Sequence, residues 1–327
     1  MRITNSMMNS RMLQNLNRNL SRLDKHQQQM STGKLFNKPS DNPIGVSKSL
    51  GLKTTLSELK QYKSNAETAI SWLEITESAI ADVGDIIQNA KELATRMANG
   101  TFSDADAKSA KQEVDQMKEQ LIKLANTTYG GKYVFSGFQT NKPLLDADGN
   151  YNISYDHSLN ADKEKMFIEV GIGDTISVNT YGYDVFGNKP SDLDALPNVN
   201  KSNAVDLADP TTNAETELLA VFSALSNALN SEPVNQEEVG KSIDRLEKQL
   251  DNVLLARGEI GAKVNRLELT VNRIEKDTIN FTGLLSKNED ADMAEVIMNY
   301  QMDESVYQAS LSIGARAIQP TLIDFIK

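Results

Sequence analysis

The sequence predicts a mainly α-helical protein with a β-rich insert, built as an elongated rod of long helices. Three observations predict this fold class. One helical period continues through the fifty residues 239–288, and a second runs through residues 59–97. Strand-like alternation occurs only in the middle of the chain, where ten of the nineteen Phe, Tyr and Trp residues lie between Tyr129 and Phe186. The insert therefore separates two helical halves.

The period from Val239 to Asn288 follows positions spaced alternately four and three apart. Twelve of its fifteen positions are apolar, the exceptions being Arg257, Thr278 and Asn288. This spacing is typical of one face of an α-helix. Such a helix would be about 75 Å long at about 1.5 Å per residue, longer than a small domain is wide. We therefore expect other long helices to cover its stripe.

The first thirty residues predict a helix with a thinner stripe. Gly33 suits a left-handed cap at its end, and the prolines within residues 37–43 predict a turn. A second long helix then begins near Ile44. A third starts after Asn99 and Gly100, where Ser103 and Asp106 have the spacing of a capping box. The thin first stripe consists of Leu13, Leu16, Leu20, Leu23 and Met30.

The β-rich insert begins where the period changes at Gly130 and Gly131. Alternating patterns predict strands over residues 132–138, around Tyr151 to Tyr155, and over residues 166–170 facing residues 176–178 across a Gly-Ile-Gly-Asp turn. A shorter helix near Leu218 to Leu229 leads back to the long stripe.

The last stripe is one residue out of step with the long one, because the polar run 287–292 interrupts it. A shift of one residue turns a stripe by about 100°, so we expect a bend or linker here. Each terminal helix carries a stripe without an obvious local partner, which favours self-association and predicts a purified monomer ordered from about residue 34 to residue 285. The last stripe consists of Met293, Ile297, Tyr300, Glu304, Tyr307, Leu311, Gly314 and Ile318.

Composition argues against several classes of partner. The formal net charge is −11 and no basic run could follow a phosphate backbone, so nucleic acid is not expected. There is no cysteine, which excludes disulfides and thiolate sites. We find neither a cleaved secretory signal nor a membrane-spanning segment. The protein could be cytoplasmic or exported without a cleaved signal.

The sequence predicts no catalytic residues, no cofactor and no metal. Residues 146–150 could open a calcium loop, but its sixth position is Tyr151 and its twelfth is His157, so a hairpin turn is favoured. The only other histidine, His26, lies in a different segment. No phosphate loop or nucleophile elbow occurs, and the scattered carboxylates fit solvated helix faces, so an enzyme is not expected.

Four stretches resemble the flagellin superfamily, and within it the hook-associated proteins of the hook-filament junction. The resemblance covers nearly the whole chain and is weakest in the insert. Residues 29–34 with residues 37–43, and the Gly-Lys-Tyr-Val-Phe-Ser-Gly strand, are more specific to the junction proteins than to flagellin. The stretches are residues 1–7, residues 29–43, residues 124–137 and the tail 294–327.

The resemblance implies a flagellin-like bundle of long antiparallel helices whose two chain ends pair as coiled-coil arms in an inner tube. It implies a structural role in motility, with partners that are other copies of the chain, a first hook-associated protein, flagellin, and a cytoplasmic chaperone on the C-terminal segment. It also implies type III export to the extracellular flagellum. The assembly residues carried over are Leu13, Leu16, Leu20, Leu23, Ile297, Tyr300, Tyr307, Leu311 and Ile318, of which the last five would serve the chaperone.

The predicted domains follow from these boundaries. They are an N-terminal assembly helix (1–33), the two halves of a helical rod domain (34–139 and 212–290), a β-rich surface insert (140–211) and a C-terminal assembly helix (291–327). Two alternatives remain open: a flagellin that builds the filament itself, and a helical adhesin or scaffold.

Overall fold

The computed structural model describes residues 5–99, 103–153, 165–187, 216–231 and 233–317. Most of these residues are helical, and the strands form two small antiparallel hairpins. The predicted fold class, mainly α with long helices, is confirmed. The elements in chain order are α1 (Asn5–Thr32), α2 (Pro43–Ala98), α3 (Asp104–Ala125), β1 (Thr128–Tyr129), β2 (Lys132–Tyr133), β3 (Phe167–Gly171), β4 (Asp174–Ser177), α4 (Gly182–Phe186), α5 (Glu217–Asn230), α6 (Gln236–Glu289) and α7 (Met293–Ala317).

The helix α6 contains the whole of the long predicted stripe. Each of its fifteen positions is buried or half-buried, and Val239, Leu246 and Leu267 have no exposed surface. The helix ends at Glu289, within the polar run that predicted a break, and α7 begins at Met293. Asp292 caps α7, because its Oδ1 accepts a hydrogen bond of 2.9 Å from the backbone N–H of Ala294.

The helix α2 buries two rows of side chains. The predicted row includes Leu73, Ile80 and Ile87, all with no exposed surface. A second row, not predicted, runs at seven-residue spacing through Trp72, Ala79, Ile86 and Leu93. A helix with neighbours on two sides needs this wider apolar face.

The chain divides into two compact units. One consists of residues Met1–Lys60 and Lys276–Lys327, and the other of Gln61–Glu275. In the second unit α3 packs against α5. The predicted capping box of α3 is confirmed, since Ser103 Oγ accepts from the backbone N–H of Asp106 and the Asp106 carboxylate accepts from that of Ser103.

The β hairpins belong to the second unit. The turn between β3 and β4 is the predicted one, with Ile168 opposite Ile176 and Gly173 at a φ of 70°. The strand predicted over residues 132–138 is wrong beyond Tyr133. After that residue only Ser136 pairs again, in an isolated antiparallel bridge with Tyr181, and Gly137 then turns the chain with a φ of 59°. Consecutive side chains at 134–136 are also all buried, which strand alternation does not produce.

The strand predicted from Tyr151 to Tyr155 lies partly outside the described residues. Tyr151 itself forms an isolated antiparallel bridge with Leu145.

Candidate assembly interface

The two terminal helices, α1 and α7, pack against each other within one chain, and we call them the terminal pair. Asn19 Nδ2 donates a hydrogen bond of 3.4 Å to Ser310 Oγ, and Arg22 Nη2 lies 3.2 Å from Asp303 Oδ1. Nearer the chain ends, Met12 lies against Gly314, where an added Cβ would overlap the Met12 methyl group. Rising numbers in α1 therefore meet falling numbers in α7, so the helices run antiparallel.

Eight of the nine predicted assembly residues divide into two groups around this contact. Four of them, Leu16, Leu23, Tyr300 and Tyr307, are half-buried on the faces that the two helices turn toward each other. Four others remain exposed in the single chain, and Ile318 lies outside the described residues. The exposed four are Leu13 (58% exposed), Leu20 (48%), Ile297 (39%) and Leu311 (44%).

The sequence analysis missed several apolar residues of α7. Val296 is buried at 5% exposure, while Met298, Met302, Val306 and Ile313 are 40–66% exposed. A search for one stripe overlooks them, because α7 is apolar on several faces. One signal was available: residues 305–315 contain no charged residue. A helix that is apolar on most sides is ordinarily covered on most sides.

The chain crosses twice between the terminal pair and the helices α2 and α6, at residues 33–35 and residues 289–291, which we call the neck. Gly33 ends α1 with a φ of 68°, and its N–H donates to the carbonyl of Gln29 at 2.8 Å. The two crossings are joined by backbone hydrogen bonds. Leu35 N–H donates to the carbonyl of Glu289 at 2.7 Å, and Ala291 N–H donates to that of Gly33 at 2.9 Å.

A buried carboxylate lies at the neck. The Glu289 side chain is 6% exposed and forms ion pairs with Lys34 and Lys53, the latter with Nζ 2.8 Å from Oε2. Burial by itself would raise the pKa of Glu289, but the hydrogen bonds from the two lysines outweigh it and the pKa is lowered. The same contact with Glu289 raises the pKa of Lys34. One carboxylate thus joins the loop after α1, helix α2 and the end of α6.

The turn before α2 is also closely packed. Asn42 Oδ1 accepts from the N–H of Gly45 at 2.9 Å, which caps α2 next to Pro43 at its first position. An added Cβ at Gly45 would stand 2.8 Å from Phe36 Cε1. Asn288 Nδ2 donates to the Gly45 carbonyl at 2.9 Å and to Ser49 Oγ at 2.8 Å. Asn288, a polar exception in the long stripe, therefore fixes α6 to α2.

The features that would mark a calcium loop, a metal site or a membrane span are not found among the described residues. The Asp146 carboxylate accepts from the N–H groups of Asp148 at 3.0 Å and Asn150 at 2.8 Å, as in a hairpin turn. No three His, Asp or Glu side chains in the described ranges could jointly hold a metal ion. Helices long and apolar enough to cross a membrane are likewise absent from the part of the chain that the structure describes.

Two regions of the chain match known protein families, and individual relatives align with nearly its whole length. Residues 3–140 match the family described as the bacterial flagellin N-terminal helical region, and residues 241–326 match its C-terminal helical region. The chain is 28% identical over 316 residues to flagellar hook-associated protein 3 of Escherichia coli, with 95% of each chain covered. It is 27% identical over 327 residues to flagellin of Bacillus subtilis, with 98% and 97% covered.

Solved structures share the fold. A hook-associated protein from Vibrio parahaemolyticus, described as putative, superposes with a TM-score of 0.61 at 20% identity, covering 76% of this chain and all of that one. The flagellar junction protein FlgL of Legionella pneumophila gives a TM-score of 0.55 at 16% identity, with 76% and 100% covered.

Proposed function

We propose that this chain, which belongs to the bacterial flagellin family, is a structural subunit that joins the flagellar hook to the filament. Members of this family are structural proteins of the flagellum, and the chain is not an enzyme. The junction role is supported by relatives named flagellar hook-associated protein 3, among them those of Escherichia coli and Salmonella typhimurium, each covered over 95% of its length.

The observation that carries the proposal is the exposed apolar surface of the terminal pair. Leu13, Leu20, Ile297 and Leu311 face solvent in the single chain, together with the exposed apolar residues of α7, which are Met298, Met302, Val306 and Ile313. Large contiguous apolar patches on a single chain mark surfaces that bind partners. A subunit that acts only within a larger tube accounts for this surface, and four of the nine predicted assembly residues belong to it.

The partners and the route of the subunit follow from the same proposal. In the junction each copy contacts other copies, a first hook-associated protein on one side and flagellin on the other. The chain reaches the outside through the flagellar export apparatus without a cleaved signal, and a chaperone holds its C-terminal segment before export. The domain boundaries at 33/34 and 290/291 fit this proposal because they lie next to the ends of α1 and α6.

Deletion of the gene in the parent bacterium tests the junction role. We expect cells that retain hooks, lack attached filaments and release flagellin into the medium, and we expect the intact gene to restore filaments. Electron microscopy of cells and immunoblots of the medium measure both. Attached filaments on the deletion strain would contradict the proposal.

Flagellin is the second candidate function, because the Bacillus subtilis relative aligns over almost the whole chain. The two candidates differ in what the purified protein does alone. A flagellin extends long filaments from sheared filament seeds, whereas a junction subunit does not. Filament growth from this chain alone would favour the flagellin function.

A further inference from the structure

The methionines of the chain are concentrated in its terminal segments. Eight of the eleven lie within residues 1–33 and 291–327, which together make up about a fifth of the sequence. Within the described ranges, every exposed methionine belongs to the terminal pair. These are Met7 (47% exposed), Met8 (47%), Met293 (39%), Met298 (61%) and Met302 (61%).

The methionines of residues 61–275 have different surroundings. Met97, Met117 and Met166 are half-buried, and each packs against the hydrophobic core. Filling irregular gaps between branched side chains is an ordinary role of methionine in a core. That role does not explain Met298 and Met302, because both side chains are largely in water in the single chain.

The exposed thioether groups have a chemistry of their own. The chain has no cysteine, so no thiol competes with methionine sulfur for a peroxide. With hydrogen peroxide, the lone pair of the methionine Sδ attacks one oxygen and the O–O bond breaks. The sulfur keeps that oxygen as a sulfoxide, and the other oxygen leaves as water with both protons. The side chain changes from flexible and apolar to polar.

We propose that Met298 and Met302 of α7 are oxidation sites, and that their conversion to sulfoxides by a peroxide prevents a free subunit from assembling. The inference rests on the proposed function, since it concerns a surface that the assembled tube covers. The two residues are four apart in α7, so their side chains are neighbours on one face of the helix. Oxidation therefore places two polar groups side by side on an apolar surface.

The free subunit and the assembled subunit should respond differently to the same oxidant. A sulfoxide that must leave water without a hydrogen-bonding partner opposes burial, so an oxidised subunit is excluded from the junction. A subunit that is already in the junction is protected, because its Met298 and Met302 are no longer accessible. Oxidation thus acts on subunits before assembly and spares the finished structure.

Peptide mass spectrometry after treatment with hydrogen peroxide tests the assignment of the sites. The purified monomer and isolated flagella receive the same dose. In the monomer we expect Met298 and Met302 to be converted several times faster than Met97 and Met117. In flagella we expect the conversion of Met298 and Met302 to be several times slower than in the monomer. Equal rates in either comparison would overturn the inference.

Substitution by glutamine, which is unbranched and polar, tests the effect of a polar side chain on assembly. In the gene deletion strain, the double variant Met298→Gln with Met302→Gln should be exported and should have an unchanged monomer melting temperature, but several-fold fewer cells should carry filaments. Met166→Gln is the matched control. It should lower the melting temperature of the monomer without removing the filaments.

The possible failures of this test can be told apart. Normal filament numbers with the double variant would overturn the inference. If the double variant is not exported, the peroxide measurements on the unmodified protein still decide. Absence of the unmodified protein from isolated flagella, or filaments on the deletion strain without any copy of the gene, would instead refute the proposed function.

Discussion

The terminal pair and the core of residues 61–275 are both built from long helices with apolar stripes, but only the core closes on itself. Leu267 of α6 has no exposed surface, whereas Leu311 of α7 is 44% exposed. In the described part of the terminal pair, only Gln29, Val296 and Gly314 are buried. An apolar stripe therefore predicts that a helix face will be covered. It does not show whether the same chain or another chain covers that face.

The largest expected difference between the two regions concerns local stability. We expect amide protons of α1 and α7 in a verified monomer to exchange almost as fast as in an unfolded chain, because ordering costs about 1–2 kcal/mol per residue and little apolar surface is buried in return. Amides in the middle of α2 should exchange only with global unfolding. Hydrogen exchange measured by mass spectrometry tests this difference between the terminal helices and α2. Strong protection of residues 10–30 would contradict it.

Two matched substitutions sharpen the comparison. Leu267→Asp places an unpaired carboxylate in a closed core, and should reduce the stability of the monomer by several kcal/mol. Leu311→Asp should leave the melting temperature of the monomer almost unchanged, because that side chain already contacts water. Circular dichroism melts of both purified variants measure the difference.

The two substitutions should also have different effects in cells. Leu311→Asp is expected to yield a folded, exported protein that fails to retain filaments, because the carboxylate would be buried in the assembled tube at every copy. If Leu267→Asp and Leu311→Asp reduced the stability of the monomer equally, α7 would belong to the core that is already closed in the monomer.

A smaller effect is expected at the neck. The pKa of Glu289 is lowered from its ordinary value of 4.5, so its ion pairs stabilise the folded state above that pH, and the contribution is lost as the pH falls through the lowered pKa. Glu289→Gln should reduce the free energy of unfolding by about 1–3 kcal/mol at neutral pH. It should also weaken the loss of stability that accompanies a fall in pH. Chemical denaturation between neutral and acid pH measures both changes.

The smallest effect provides the control for Glu289. Glu237 pairs with Lys241 on the surface of α6, where its side chain is 80% exposed. Glu237→Gln should leave the stability almost unchanged, because solvent screens exposed pairs. A cost as large as that of Glu289→Gln would indicate that burial does not distinguish the two carboxylates.

The long helices were predictable because periodicity is a local property. The stripe of α6, the break before α7 and the capping box of Ser103 with Asp106 each follow from residues close in sequence. The second buried row of α2 was not predicted, because it depends on how many neighbours a helix acquires. The strand beyond Tyr133 was predicted wrongly, because its alternation was read without the turn at Gly137.

The assembly surface was predictable only in part. The stripe positions of α1 and α7 identified apolar residues, but not which of them face each other and which remain exposed. The ion cluster of Lys34, Lys53 and Glu289 was missed because Lys34 and Glu289 are 255 residues apart in the chain. No local pattern marks such a pair, and only the antiparallel return of the chain brings its members together.

The antiparallel neck has a mechanical consequence. Because residues 33–35 and 289–291 run side by side and exchange two backbone hydrogen bonds, any pull or torque on the terminal helices is shared by two covalent strands. A load along the crossings stretches both strands in parallel, and the two hydrogen bonds keep the strands side by side when the load twists them. The ion pair of Glu289 with Lys34 links the same two crossings through their side chains, so it also resists their separation.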